Sequence, residues 1–151
     1  MGFNLKIIAN AYQKSLVLIN LGSKSIKCHF VDAAGTRLET PAGFETETMG
    51  LGQDLLSKGT LNAEAVHFVF KRVGLWFKQI ESLNIPLQNI HVVATAAVRE
   101  AQDKKIFVDR FNQEFPVPIT VIPQSEEARL GVQGMLASYP NFKTGNFLEL
   151  G

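Results

Sequence analysis

The sequence is poor in the residue that staples extracellular folds: 151 residues include one cysteine, Cys28, so no disulfide can form within the chain. A lone thiol fits a reducing compartment. No apolar run approaches the length needed to cross a bilayer. An export signal is missing as well, because Asn10, Gln13 and Lys14 break the N-terminal apolar pieces and no small-residue cleavage pattern follows. Lys6 stands where a myristoylation signal wants serine or threonine. These absences point to the cytoplasm and away from membranes. An excess of one charge is lacking too: 15 basic and 14 acidic side chains leave a net charge of +1, which gives no electrostatic case for nucleic acid or anionic lipid. No internal repeat or low-complexity tract is present. His29, His67 and His91 have no metal-ligand spacing and read as structural or surface residues.

What remains is the composition of one globular domain, 46% hydrophobic and long enough to bury a core. Leu16–Ile19 is a continuous apolar run, as in a strand buried on both faces. Ile26, Cys28 and Phe30 alternate with Lys27 and His29, the pattern of a half-exposed strand in which Cys28 acts as a small hydrophobe. Thr36–Thr40 reads as a third strand. The glycine-rich stretch 41–60 reads as loop, with a weak strand at Glu45–Met49. Asn62 then caps a helix whose Val66, Val69, Phe70, Val73, Phe77 and Ile80 share one face, ended by Asn84 and Pro86. Asn89–Ala94 is a strand, Arg99–Phe115 a helix closed by Pro116 and Pro118, and Ile119–Ile122 a strand. Ser125 caps a further helix, and Phe147–Leu150 is a last strand. Three leading strands followed by alternating strands and helices predict a mixed α/β sheet with helices on its faces.

Four places follow a strand or open a helix, where open α/β sheets take ligands. Gly22-Ser23-Lys24-Ser25 is either a plain hairpin turn or a loop whose N–H groups and hydroxyls surround an anion. In "VATAAVREA", Arg99 is a surface arginine or a planar fork for phosphate. In "SEEARL", Glu126 and Glu127 complement a helix dipole, or one of them is a general base. Glu149, at the end of a strand before Gly151, can help to hold a hydrated Mg²⁺.

Taken in order, these segments resemble the N-terminal domain of the exopolyphosphatase and guanosine pentaphosphate phosphohydrolase family, part of the actin, Hsp70 and sugar-kinase superfamily. The resemblance runs over residues 16–151: "LINLGSKSIK" is similar to the first phosphate loop, and "GLGQDLLSKGTLNAEAV" to the segment entering the long helix. "VATAAVREA" is similar to the arginine motif, "SEEARLG" to the glutamate motif and "FLELG" to the start of the second phosphate loop. It implies a ribonuclease H-like fold over residues 15–151, the first domain of a longer multi-domain protein, with residues 1–14 an extension of unassigned role. It also implies Mg²⁺-assisted water attack on the terminal phosphate of polyphosphate or guanosine pentaphosphate. In the implied site Glu127 is the base, Arg99 binds phosphate, and Gly22, Ser23, Lys24, Ser25 and Gly151 belong to the phosphate loops. Asn20 and Glu149 occupy the metal positions. A second domain completes the cleft, so the isolated domain is expected to be inactive, and the face left open can pair two copies as a homodimer.

The sequence departs from the family where chemistry is concentrated. Asn20 and Glu149 stand where the family has aspartate, Lys24 where it has asparagine, and Pro123-Gln124 where it has Ser-Gly. An amide supplies no carboxylate charge to Mg²⁺ or its waters. These departures keep a second expectation open, a degenerate relative that binds phosphorylated ligands without hydrolysing them. A sugar kinase or chaperone-like ATPase would lack the paired "EEAR" and "TAAVREA" segments.

Overall fold

β1 (Leu16–Leu21) is the strand around which the sheet is built in the computed structural model, which describes residues 12–138. It pairs antiparallel with β2 (Ser25–Val31), Ile19 opposite Cys28. On its other side it pairs in parallel with β4 (Ile90–Ala94), Val17 opposite Ile90. β3 (Glu47–Thr48) adds to β2, and β5 (Ile119–Val121) adds in parallel to β4. The resulting order, β3-β2-β1-β4-β5, with the first three strands antiparallel and the last two parallel to β1, is the ribonuclease H-like arrangement the pattern predicts. Val17, Ile19, Leu21, Ile26, Cys28, Phe30, Val92 and Ala94 turn to the core, while Leu18, Asn20 and His29 lie on the half-covered opposite face. Burial pushes the Cys28 thiol up to about 12, so it stays protonated and inert.

The helices are α1 (Leu55–Lys58), α2 (Ala63–Ser82), α3 (Ala96–Glu100), α4 (Lys104–Glu114) and α5 (Gln124–Ser138). α2 forms as its sequence dictates: the Asn62 side chain accepts from the Ala65 N–H at 2.9 Å, and Asn84 takes a left-handed φ of 56° just past its end. Val69, Phe70, Val73, Trp76 and Ile80 are buried, whereas Val66 and Phe77 only flank the core. Phe70 meets Phe107 and Phe111 of α4 edge-on, at 5.6 and 5.8 Å between centroids. Phe115 closes the cluster, stacked on Phe77 at 5.4 Å. Each such ring contributes about 1.5–3 kcal/mol of burial, with up to about 1.5 kcal/mol more from favourable ring geometry.

Three expectations are corrected. Thr36–Thr40 is not a strand; its contact with β2 is the bridge Val31–Arg37 and the Leu38 N–H bond to the Phe30 carbonyl. The chain leaves the sheet edge there because Phe44 is drawn into the core, 5.0 Å from Phe30 and 6.2 Å from Trp76, whose Nε1–H donates to the Gly43 carbonyl at 2.9 Å. The weak strand within Glu45–Met49 supplies β3 instead. The helix expected over Arg99–Phe115 is two helices. Between them the Gln102 N–H donates to the Gly59 carbonyl at 2.9 Å and Asp103 accepts from the Leu61 N–H at 3.1 Å, so long-range partners replace helical ones. Finally, Ser125 does not cap α5, which starts at Gln124; the N–H groups of Glu126 and Glu127 both donate to the Pro123 carbonyl. The strand expected over Phe147–Leu150 lies outside the described residues.

Candidate active site at the strand ends

Three strand ends are stitched together on one side of the sheet. The Thr95 N–H donates to the Leu21 carbonyl at 3.3 Å, and the Ile122 N–H to the Ala94 carbonyl at 3.0 Å. The loops that follow β1, β4 and β5 therefore start side by side, and all the candidate residues that the described structure includes lie on or next to them.

The β1–β2 turn is a tight hairpin. Gly22 N–H donates to the Ser25 carbonyl at 3.0 Å, and a Cβ on Gly22 would stand 2.9 Å from that oxygen. The following loop braces the same turn: Met49 and Gly50 donate to the Lys24 carbonyl, and Gly52 to the Ser23 carbonyl. The N–H groups of Ser23 and Lys24, and the Ser23 and Ser25 hydroxyls, make no hydrogen bond among the described residues. Hairpin and anion loop are thus compatible descriptions of one turn. A Cβ on Gly52 would lie 3.2 Å from the Ser23 Cβ and 3.3 Å from the Ala97 Cβ, so the turn is wedged against the first residues of α3.

Arg99 sits in the last turn of α3, not at a helix start. Its Nη1 donates to the Ile122 carbonyl at 3.1 Å and to Glu127 Oε2 at 2.8 Å, and Nη2 reaches Glu100 at 3.4 Å. Arg99 is largely enclosed, with 19% of its side chain exposed against 35% for Glu127. The two glutamates of α5 are thereby distinguished. Glu126 is paired with Arg129 at 2.5 and 2.8 Å, and those hydrogen bonds hold its carboxyl below the usual range. Glu127 instead faces Arg99 at the strand ends.

Asn20 lies on the half-covered face of β1, and its Oδ1 is buried with no hydrogen-bond partner among the described residues. Glu149 and Gly151 lie outside the described residues. Thr95 is the candidate that sequence reasoning passed over: 8% exposed at the end of β4, it caps α3 without a side-chain hydrogen bond. Its signal was present, a hydroxyl residue between a strand and a run of small residues. Among the described residues no group of three or more His, Cys, Asp or Glu side chains is close enough to hold a metal ion, and no helix is long and apolar enough to cross a membrane.

A groove of about 770 Å³ lies elsewhere, lined by Phe70, Phe77, Ile85, Leu87 and Phe115. It contains none of the candidate residues.

Residues 36–151 match the model of the Ppx/GppA phosphatase family. Over 117 residues the chain is 32% identical to a guanosine-5'-triphosphate,3'-diphosphate pyrophosphatase of Aliivibrio fischeri, an alignment covering 78% of this chain and 23% of that protein. The chain thus spans about a quarter of the length of the curated relatives it matches. Its fold is shared with the crystal structure of the Aquifex aeolicus member of the Ppx/GppA family, with a TM-score of 0.69 and 20% identity over 83% of this chain and 40% of that one. It is shared too with an exopolyphosphatase from Cytophaga hutchinsonii, with a TM-score of 0.67 and 22% identity over 80% and 38% of the two chains.

Proposed function

We propose, from the premise that this chain belongs to the Ppx/GppA phosphatase family, that it is the first domain of a phosphoanhydride hydrolase acting on polyphosphate or guanosine pentaphosphate. The observation that carries this reading is the 2.8 Å contact between Arg99 and Glu127, which brings the arginine and the glutamate motifs together beside the hairpin turn. In the reading, the turn Gly22–Ser25 receives a phosphate on its open N–H and hydroxyl groups, and Arg99 takes the terminal phosphate. The Ile122 carbonyl keeps the guanidinium in place while it exchanges Glu127 for phosphate oxygens. Glu127, freed from Arg99, accepts a proton from a water as that water attacks phosphorus. The new P–O bond forms as the bridging P–O bond breaks, and the shortened chain leaves as an anion while orthophosphate departs. Positioning and charge neutralisation supply most of the acceleration in such transfers.

Mg²⁺ is implied by the resemblance, but the described donors do not fit it. Asn20 is neutral, Glu127 is held by a guanidinium, and among the described residues no group of three or more His, Cys, Asp or Glu side chains is placed to hold a metal ion. No step is therefore assigned to a metal. The reading also takes residues 15–151 as the domain, residues 1–14 as an extension, a second domain of the same protein as the other side of the cleft, and the cytoplasm as the location. It leaves self-association as a homodimer open to the face that this second domain would cover.

A second reading, phosphate binding without hydrolysis, is favoured by Asn20 and Lys24, which remove one negative charge from the site and add a positive one. One experiment separates the two: phosphate release from polyphosphate and from guanosine pentaphosphate by the longer protein that contains this chain. Release from either establishes the hydrolase and identifies its substrate. Ligand binding without release establishes the sensor.

A further inference from the structure

Three carbonyls of the turn have donors, whereas several of its N–H and O–H groups have no acceptor among the described residues. The oxygens of Ser23, Lys24 and Ser25 are taken by Gly52, by Met49 and Gly50, and by Gly22 respectively. The N–H groups of Ser23 and Lys24 and the two serine hydroxyls remain open among the described residues. Lys24 is exposed, and its ammonium has no carboxylate partner among those residues. A cation approaching this turn would meet hydrogens and an ammonium, while an anion would meet several donors and a full positive charge. Asn20, two residues before Gly22, strengthens the asymmetry. Its buried, unpartnered Oδ1 offers a cation one neutral ligand, where Mg²⁺ requires hard, usually anionic oxygens in octahedral array. The same oxygen can accept from an ammonium.

We infer that the half-site carried by this chain binds phosphate directly, without a divalent cation, and that Lys24 supplies the charge a metal would otherwise bring. The inference rests on reading the Gly22–Ser25 turn as a phosphate site, and it makes Lys24 the residue that sets the ion requirement. Asn20 is the complementary change, because a carboxylate there would repel the phosphate once no metal stood between them.

The test is a titration of the 151-residue chain with inorganic phosphate, followed by the amide ¹H–¹⁵N shifts of Ser23 and Lys24, once with a chelator and once with Mg²⁺. The expected result is the same affinity in both, within about twofold, and a loss of about five- to tenfold in Lys24→Met, as befits one charge-assisted contact on an exposed loop. The spectrum of the variant itself reports whether it is folded. In the double variant Asn20→Asp/Lys24→Asn, the phosphate response should appear only when Mg²⁺ is present. A wild-type response that needs Mg²⁺ overturns the inference and leaves the phosphate-site reading standing. Shifts at neither amide under either condition overturn both. Phosphate binding that is unchanged in Lys24→Met overturns the role of Lys24.

Discussion

The layer where α2 meets α4 and the strand-end loops are held together in opposite ways. Between the helices, Phe70, Phe107, Phe111 and Phe115 form a chain of ring contacts, with the Arg110 guanidinium 4.0 Å over Phe70 as its polar edge. Most of that energy is burial, which is tolerant of small rearrangements and spread over many atoms. At the strand ends the loops are positioned by individual backbone hydrogen bonds, Gly52 to Ser23 and Thr95 to Leu21 among them. The first region supplies stability and leaves no polar group waiting. The second leaves N–H groups and hydroxyls without hydrogen-bond partners among the described residues, which a fold can keep only if stability comes from elsewhere. Damage to the helical layer should therefore unfold the protein, and damage to the loops should silence it while it remains folded.

The sharpest test of that division is Glu127→Gln in the longer protein. Turnover should fall by a factor of about 10²–10⁴, the usual worth of a general base, with ligand binding and the unfolding midpoint retained. Steady-state phosphate release alongside thermal unfolding checks both halves, and unchanged turnover would remove Glu127 from the chemistry. In the other region Phe111→Ala, at a position with no solvent exposure, should cost about 3–5 kcal/mol in urea unfolding. A cost under about 1 kcal/mol would mean that the aromatic layer is not the main support.

Gly22→Ala probes the boundary between the regions. The new Cβ would press on the Ser25 carbonyl, so a loss of about 1–3 kcal/mol is expected together with a weakened amide response to phosphate. Trp76→Phe should cost about 0.5–1.5 kcal/mol through the lost bond to the Gly43 carbonyl, measured by the same denaturation. The smallest effect is a pH slope. Burial, then the positive Arg37 and Lys27, hold the His29 imidazole below its ordinary value, so the folded state favours the neutral ring. Its contribution to stability is present above the unfolded value near about 6.5 and is lost as pH falls from there toward the folded value. His29→Gln should flatten that acid limb of the stability profile.

The parts of this molecule that obey local rules were legible in the residue order. Alternation in Ile26, Cys28 and Phe30 marked β2, and Asn62 marked the start of α2. The parts decided by distant partners were not. Nothing around Phe44 says that it will leave the sheet edge to lie between Phe30 and Trp76. Arg99 to Phe115 is good helical sequence, broken only because Gly59 and Leu61 claim hydrogen bonds at Gln102 and Asp103. The candidate residues were named from motifs through resemblance. The direct contact of Arg99 with Glu127 was not legible, since it depends on β4 and β5 lying parallel.

The parallel pairing of β1 with β4 also sets a schedule for synthesis. When β1 and β2 leave the ribosome they can close as a hairpin, but the other edge of β1 has no partner until Ile90–Ala94 has been made. Through that interval Val17, Ile19 and Leu21 form an apolar ladder with one unpaired edge, the kind of surface that holdase chaperones cover and that recruits other nascent chains. Slow translation between residues 31 and 90 should therefore lower soluble yield more than the same delay placed after residue 94.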